Sequence, residues 1–185
     1  MIKFKSERLV LRGWQDSDYA PFARINADPD VMRYFPAPLS EAESNANADT
    51  MRALIGERGW GFWAVEIPKV APFIGFVGLH IPSVILPFSP CVEIGWRLDK
   101  QFWGHGYATE AAQFALEYGF TDLGLEEIVS FTATQNKPSQ AVMKRLGMSR
   151  ESETFEHPSV PTGNPLREHF LYRLQKADWA ETQRS

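Results

Sequence analysis

The sequence predicts a single α+β domain over residues 1–185, and three observations support that prediction. The length of 185 residues suits one domain of ordinary size. Hydrophobic residues make up 44% and charged residues 23%, a globular balance that excludes wholesale disorder. Segments with a strand pattern outnumber those with a helical pattern, and the two kinds come in mixed order. This order favours the α+β class.

The first part of the chain predicts one strand and two helices. The apolar run 9–11 between two arginines indicates the strand. Asp16 is placed as the N-cap of a helix that the Asp28-Pro29-Asp30 sequence ends. Ser40 and Glu43 form a capping box that opens the second helix.

The middle of the chain predicts a meander followed by a long helix. Strand candidates at 61–67, 74–81 and 92–98 are separated by prolines, which suits antiparallel hairpin connections. A glycine-bearing loop then leads into a helix over 107–123, which Gly124 ends.

The last third predicts two more strands around a short helix. The strands cover 128–134 and 170–174, and the helix covers 138–146 and stops at Gly147.

Composition excludes several classes of protein. A formal net charge of −4 argues against a duplex nucleic-acid binder, and the single cysteine, Cys91, excludes a disulfide framework. The four histidines are scattered and predict no metal site. No apolar stretch approaches the roughly 18 to 20 residues that span a bilayer, and the N-terminus meets charge too early for a signal peptide. We therefore expect a cytoplasmic monomer or homodimer with no nucleic-acid, membrane or metal partner.

The segment 92–111 carries the strongest chemical signal. It predicts a strand, a glycine-bearing loop and a helix N-terminus, whose unpaired N–H groups and partial positive charge favour a phosphate. Gly104 and Gly106 let an anion approach the backbone without a Cβ in the way. A plain tight turn explains the same two glycines. The segment is neither a dinucleotide-binding motif, because position 109 is Thr, nor a Walker loop.

The pattern Gln101-x-x-Gly104-x-Gly106, followed by Tyr-Ala-Thr-Glu-Ala, resembles the acetyl-CoA motif of the GCN5-related N-acetyltransferases, the GNAT superfamily. Segments 7–12, 28–32, 74–78 and 136–148 resemble further parts of its RimJ/RimL-type branch, in the expected order. The resemblance implies a mixed, mostly antiparallel sheet of about six to seven strands with about four helices. It also implies direct acetyl transfer from acetyl-CoA, as co-substrate, to a primary amine of a protein N-terminus or a small molecule, without a metal.

The same resemblance implies a set of cofactor-binding residues. The loop amides would bind the CoA pyrophosphate, the main chain of Trp96 and Leu98 would pair with pantetheine, and Asn136 would contact the pantetheine arm. Asn136 could instead simply end its strand. The full set is Trp96, Arg97, Leu98, Gln101, Trp103, Gly104, His105, Gly106, Tyr107, Ala108, Thr109, Asn136 and Ser139.

Glu93 is the candidate general base, acting directly or through water. Strand alternation places it on one face with Gly95 and Arg97. A lysine amine with a pKa near 10.4 needs a base more than an α-amine with a pKa near 8. An ion pair between Glu93 and Arg97 is the competing structural interpretation.

Ser139 is the candidate hydroxyl beside the departing CoA thiolate, by resemblance. Its position just after Pro138 is equally consistent with a helix cap. Many GNAT members have a general-acid tyrosine where this sequence has Met143. This difference is the one feature that favours a non-catalytic acyl-CoA sensor instead of an enzyme.

The acceptor side is assigned to aromatic residues of the first helix exit and the second strand. These are Tyr34, Phe35, Trp60 and Phe62, next to Trp63. Aromatic residues at the start of a strand often belong to the core, which is the alternative.

Overall fold

The computed structural model describes residues 2–184, which form one eight-stranded sheet with helices on both faces. The strands are β1 (Ile2–Lys5), β2 (Val10–Arg12), β3 (Phe62–Ile67), β4 (Ala71–His80), β5 (Glu93–Leu98), β6 (Glu127–Ala133), β7 (Ser149–Glu156) and β8 (Glu168–Gln175). The helices are α1 (Tyr19–Ala27), α2 (Glu41–Arg58), α3 (Tyr107–Thr121), α4 (Lys137–Arg145) and α5 (Lys176–Thr182). The predicted α+β class is confirmed. Over the described residues, the counts of eight strands and five α-helices are slightly above the expected numbers.

The sheet order is β1-β2-β3-β4-β5-β6-β8-β7, and β5–β6 is the parallel pair in an otherwise antiparallel sheet. Sequence analysis missed the two edge strands, β1 and β7, and the short helix α5. In β7, Phe155 is the one residue that is not exposed. An edge strand with so little buried surface lacks the apolar alternation from which strands are predicted.

Helix starts follow the sequence signals, with one correction. Ser40 and Glu43 form the expected box, in which the Ser40 N–H donates to Glu43 Oε2 at 2.8 Å. Asp16 is not the N-cap of α1. It lies in a short 3-10 turn, Asp16–Asp18, and its carboxylate accepts from Arg52 at 2.6 Å. At the start of this turn it is the buried Asp18 carboxylate, and not Asp16, that accepts from the backbone N–H of Gln15.

Two cores sandwich the sheet. The larger lies under α3, where Ala111, Ala112 and Ala115 are wholly buried and let the helix lie close to the strands. The smaller lies under α1 and α2 and is built around Trp14 and Phe22. The two faces of β5 therefore meet different partners: one meets α3, and the other meets the α1–α2 side.

Candidate active site

Strands β5 and β6 separate soon after they meet. Their parallel pairing has a single register pair, Glu93 with Val129. The Val129 N–H donates to the Val92 carbonyl at 3.0 Å, and the Ser130 hydroxyl donates to the Ile94 carbonyl at 2.9 Å. Beyond this point β6 pairs with β8 alone, so a gap opens beside the C-terminal half of β5.

The main chain of β5 faces into this gap. The Asp99 N–H donates to the Ile74 carbonyl of β4 at 2.8 Å, and backbone groups alternate in direction along a strand. The groups of Trp96 and Leu98 therefore point away from β4. The Trp103 indole donates to the Leu98 carbonyl at 2.9 Å, which leaves the Leu98 N–H and both backbone groups of Trp96 facing the gap. An extended ligand that contains amides can pair with these groups as an added strand does.

The loop between β5 and α3 has the backbone geometry of an anion site. Gly104 and Gly106 have φ values of 79° and 80°, the left-handed region that other residues enter only at a cost. Gly106 is the N-cap of α3 and offers no side chain to the first-turn N–H groups, so those groups are available to an anion. The other cofactor candidates of this region surround the loop and are exposed or half-buried: Gln101, Trp103, His105, Tyr107, Ala108 and Thr109.

Arg8 clamps this loop, and sequence analysis did not identify it. Its guanidinium donates to the His105 carbonyl at 3.1 Å and, through Nε, to Glu110 at 2.7 Å. It also lies 4.9 Å from the centroid of the Tyr107 ring. The Ser6 hydroxyl binds the second oxygen of Glu110 at 2.7 Å. The partners lie about a hundred positions apart in the chain, so no local pattern signals this contact.

Glu93 lies at the closed end of the gap, where the two strands still pair. Burial raises the pKa of Glu93 from an ordinary value near 4.5 to about 8. The competing Glu93–Arg97 ion pair is wrong, because within residues 2–184 the polar partner of the Arg97 guanidinium is Asn26 of α1, at 2.8 Å. A carboxyl with a pKa near 8 is about one-tenth ionised at pH 7, and its ionised form is a stronger base than an ordinary carboxylate.

Ser139 and Asn136 lie at the start of α4. Asn136 is the helix cap: its side-chain oxygen accepts from the Ser139 N–H at 3.2 Å. The interpretation of Ser139 as the cap is therefore wrong. The Ser139 hydroxyl instead accepts from the Trp96 indole at 3.3 Å, which links α4 to β5. Met143, at the position of the family tyrosine, is 1% exposed and belongs to the larger core.

The structure separates the acceptor-side candidates. Phe62 and Phe35 lie on the face of Glu93, since Phe62 would contact a Cβ on Gly95 at 3.1 Å and Phe35 stacks on Arg97 at 4.4 Å. Tyr34, next to Phe35, is half-buried. Trp60 packs against the larger core on the α3 side, as does Trp63. Neither tryptophan joins the Glu93 face.

A second aromatic wall lies on the other side of the gap and was missed by sequence analysis. Residues that pair directly across strands share a face, so Phe131 of β6 and His169 of β8 lie on the Glu93 face. Phe131 contacts the rings of Phe88, Phe155, His157 and His169, at centroid distances from 5.7 to 6.4 Å. The β4–β5 connection thus folds back over β6 and β7, with Phe88 as its anchor.

Two imidazoles of this wall are held by backbone groups. His169 Nδ1 lies 3.0 Å from the Arg167 carbonyl, which fixes the ring proton on that nitrogen. His157 Nδ1 accepts from the Ser159 N–H at 3.2 Å. Burial lowers the pKa of His169 to about 4 and also lowers that of His157, so both are neutral at pH 7.

Within residues 2–184, no group of three or more His, Cys, Asp or Glu side chains is arranged to hold a metal ion. In the same part of the chain, no helix combines the length and apolar character needed to span a membrane.

Residues 8–149 match the family of the acetyltransferase (GNAT) domain. The chain belongs to the GNAT family. This confirms the superfamily resemblance and makes the protein an acyltransferase of the N-acetyltransferase type. The fold agrees: a GNAT-family acetyltransferase from Bacillus anthracis superposes with a TM-score of 0.77 at 27% identity, covering 96% of this chain and 99% of that one.

Two relatives show how far the similarity extends. The uncharacterized N-acetyltransferase YnaD of Bacillus subtilis is 29% identical over 175 residues, covering 94% of this chain and 97% of YnaD. The FsC-acetyl coenzyme A-N(2)-transacetylase of Aspergillus fumigatus is 29% identical over 168 residues, covering 87% of this chain and 71% of the relative. In this GNAT protein, the gap and the glycine loop lie inside the matched region.

Proposed function

We propose that this GNAT protein transfers an acetyl group directly from acetyl-CoA to a primary amine, of a protein N-terminus or a small molecule. One observation carries the proposal. The gap beside β5 ends at Glu93, whose carboxyl has a pKa raised by burial. The other end of β5 leads into the loop before α3, and the N-terminus of this helix has no side-chain cap. The same space thus offers backbone partners for a long ligand, an anion site and a proton acceptor.

The donor site follows from these groups. The first-turn amides of α3 and the loop of Gly104 and Gly106 would hold the pyrophosphate. The main chain of Trp96 and Leu98 would bind the pantetheine amides, with Asn136 at the far side of the gap. Bound acetyl-CoA supplies an acyl group activated as a thioester. The printed name of the Aspergillus relative includes acetyl coenzyme A as donor, which supports this assignment.

Glu93 would act as the general base. The amine nitrogen attacks the thioester carbonyl carbon, the carbon–sulfur bond breaks, and the amine proton passes to Glu93 directly or through water. The main-chain N–H of Trp96 or of Leu98, both of which face the gap, would bind the thioester oxygen as negative charge develops there.

Ser139 would stabilise the departing thiolate. Its oxygen accepts from the Trp96 indole, so its own proton is free to point towards another acceptor. The CoA thiolate is the conjugate base of a thiol with a pKa near 8.5, so it is a good leaving group. One hydrogen bond to the departing sulfur is therefore enough assistance.

On the acceptor side, Phe35 and Phe62 form one wall with Tyr34 beside them, and the Phe131 cluster forms the other. The RimJ/RimL-type branch is the finer assignment, and the opening motif at 7–12 supports it. Arg8 of that motif clamps the glycine loop in this protein.

CoA release tests the enzyme against the alternative of an acyl-CoA sensor, which the buried Met143 favours. The protein is incubated with acetyl-CoA and with N-terminal peptides or small amines. Free CoA and acetylated product are then separated by chromatography and measured. We expect equimolar CoA and N-acetyl product with at least one amine class. Tight acetyl-CoA binding without product for any amine would establish the sensor. Comparison with Glu93→Gln, which keeps the size of the side chain, then shows whether Glu93 is the base.

A further inference from the structure

The guanidinium of Arg97 is a cation without a counter-charge on the acceptor face. Its Nη1 donates to Asn26 Oδ1 at 2.8 Å, and its plane stacks on the ring of Phe35 at 4.4 Å. Neither Nε nor Nη2 has a hydrogen-bond partner within residues 2–184. Nε is closed off from solvent, whereas Nη2 is not among the sealed atoms.

The carboxylates on the neighbouring loop form ion pairs with another cation. Asp28 and Asp30, on the loop that also carries Phe35, bind Lys100 at 2.8 and 3.0 Å. Among the described residues, no carboxylate lies within ion-pair distance of Arg97, and burial lowers the pKa of Arg97 to about 10. A half-buried cation left without an anion costs folding free energy, so the arrangement is best explained by an anion that arrives with a ligand.

The neighbours of Arg97 fix which nitrogen of the guanidinium a ligand can reach. Asn26 is wholly buried and donates to the Ser44 hydroxyl at 2.8 Å, so α1 and α2 hold it in place. Asn26 occupies Nη1, and Phe35 covers the flat face. Nη2 remains as the nitrogen that a ligand can reach, since Nε is closed off from solvent. A hydrogen bond from this charged group is stronger to a carboxylate oxygen than to a neutral one.

We propose that Nη2 of Arg97 binds the carboxylate of the acceptor, so that the substrate is an amino acid or a close amino-acid analogue. This inference rests on the proposed function and specifies its acceptor. Arg97 directly follows Trp96, whose main chain faces the gap. When the acceptor carboxylate binds Arg97, an amine a few bonds from that carboxylate therefore lies beside the gap. A small acceptor fits better than a polyamine, because a polyamine would bring a second positive charge close to Arg97, whose own charge no carboxylate compensates.

Calorimetry of acceptor binding in the presence of CoA tests the proposal without acetyl transfer. Each common protein amino acid is compared with its own α-carboxamide. We expect at least one amino acid to bind about tenfold or more tightly than its carboxamide, the loss typical of a charge-assisted hydrogen bond. Arg97→Gln should remove that difference. Arg33→Gln is the matched control, because Arg33 lies on the loop that carries Phe35, has the same charge as Arg97 and has a side chain that is 62% exposed.

Equal binding of acid and carboxamide, no binding of either, or a difference that persists in Arg97→Gln would each overturn the proposal. A peptide N-terminus or polyamine that binds more tightly than every amino acid would do so too. Should Arg97→Gln fail to fold, Arg97→Lys keeps the charge but lacks the planar guanidinium that places Nη2, and it should reduce the preference for the acid. CoA release with the same pairs is measured separately. Carboxylate-dependent binding without acetyl transfer refutes the proposed function alone, and equal transfer to acids and carboxamides refutes the Arg97 site alone.

Discussion

Glu93 is held in β5 as an acid that burial keeps mostly protonated at pH 7, because its pKa is about 8. The unfolded chain releases this proton near pH 4.5, so between the two pKa values the folded protein binds more protons than the unfolded one. Its free energy of unfolding must therefore fall as pH rises through that window. The buried histidines act in the opposite direction, and their effect fades as pH rises past about 6.5, since the pKa values of His80, His157 and His169 are lowered from that value.

Comparison with Glu93→Gln isolates Glu93, because the histidines contribute equally to both proteins. From pH 6.5 to 8, we expect the wild-type free energy of unfolding to fall relative to that of Glu93→Gln by up to about 1.4 kcal/mol per pH unit. Urea denaturation at several pH values in this range measures both. Parallel slopes for the two proteins would mean that the carboxyl is already ionised in the folded state.

Ser139 allows a similarly direct test, because Asn136 carries the capping role. We expect Ser139→Ala to lower kcat about 5- to 30-fold, the loss of one hydrogen bond of about 1 to 2 kcal/mol, and to lower the melting temperature less than Asn136→Ala does. Asn136→Ala is the stability control, since loss of the cap costs about 0.5 to 2 kcal/mol. Steady-state rates and thermal melts of both variants decide it: a lower melting temperature for Ser139→Ala with an intact kcat would remove Ser139 from the chemistry.

At the scale of an element, the N-terminus of α3 depends on Gly106, whose φ is 80°. We expect Gly106→Val to weaken CoA binding about tenfold or more, a loss of about 1.4 kcal/mol, because the side chain lies where the anion must approach and also strains the loop. Gly163→Val controls for the strain alone: Gly163 has φ 83° and no neighbour within 4 Å of an added Cβ. Calorimetry should show wild-type CoA affinity for Gly163→Val. Equal losses in both variants would indicate a general effect of strain.

Elements with a local signal were predictable from the sequence. The Ser40–Glu43 box and the glycine loop before α3 each depend on residues a few positions apart, and both are in place. The β7 strand was not predictable, because its exposed residues carry no apolar alternation. The contacts of Arg8 with His105 and of Arg97 with Asn26 join segments about 70 to 100 positions apart. Only the folded sheet brings such residues together, so this part of the candidate site could not be predicted from the spacing of residues in the sequence.

At the scale of the whole molecule, the sheet consists of two parts joined weakly at β5 and β6. Strands β1 to β5 form one antiparallel run and β6 to β8 another, and one register pair connects them. The proposed donor site lies across this junction, since Trp96 and Leu98 belong to the first part and Asn136 and Ser139 follow β6 in the second.

A ligand that bridges the two parts should therefore slow local opening on both sides of the gap. We expect CoA to protect backbone amides in three segments from hydrogen exchange: the end of β5, the loop over 103–109, and the start of α4. Exchange followed by mass spectrometry, with and without CoA, measures this, and the edge strands β1 and β7 serve as internal controls that should not change. In Gly106→Val at the same CoA concentration, protection should weaken in all three segments together, because the same bound molecule produces it. Protection confined to 103–109, with the end of β5 and the start of α4 unaffected, would mean that CoA is held by the loop alone and that the gap between β5 and β6 has another use.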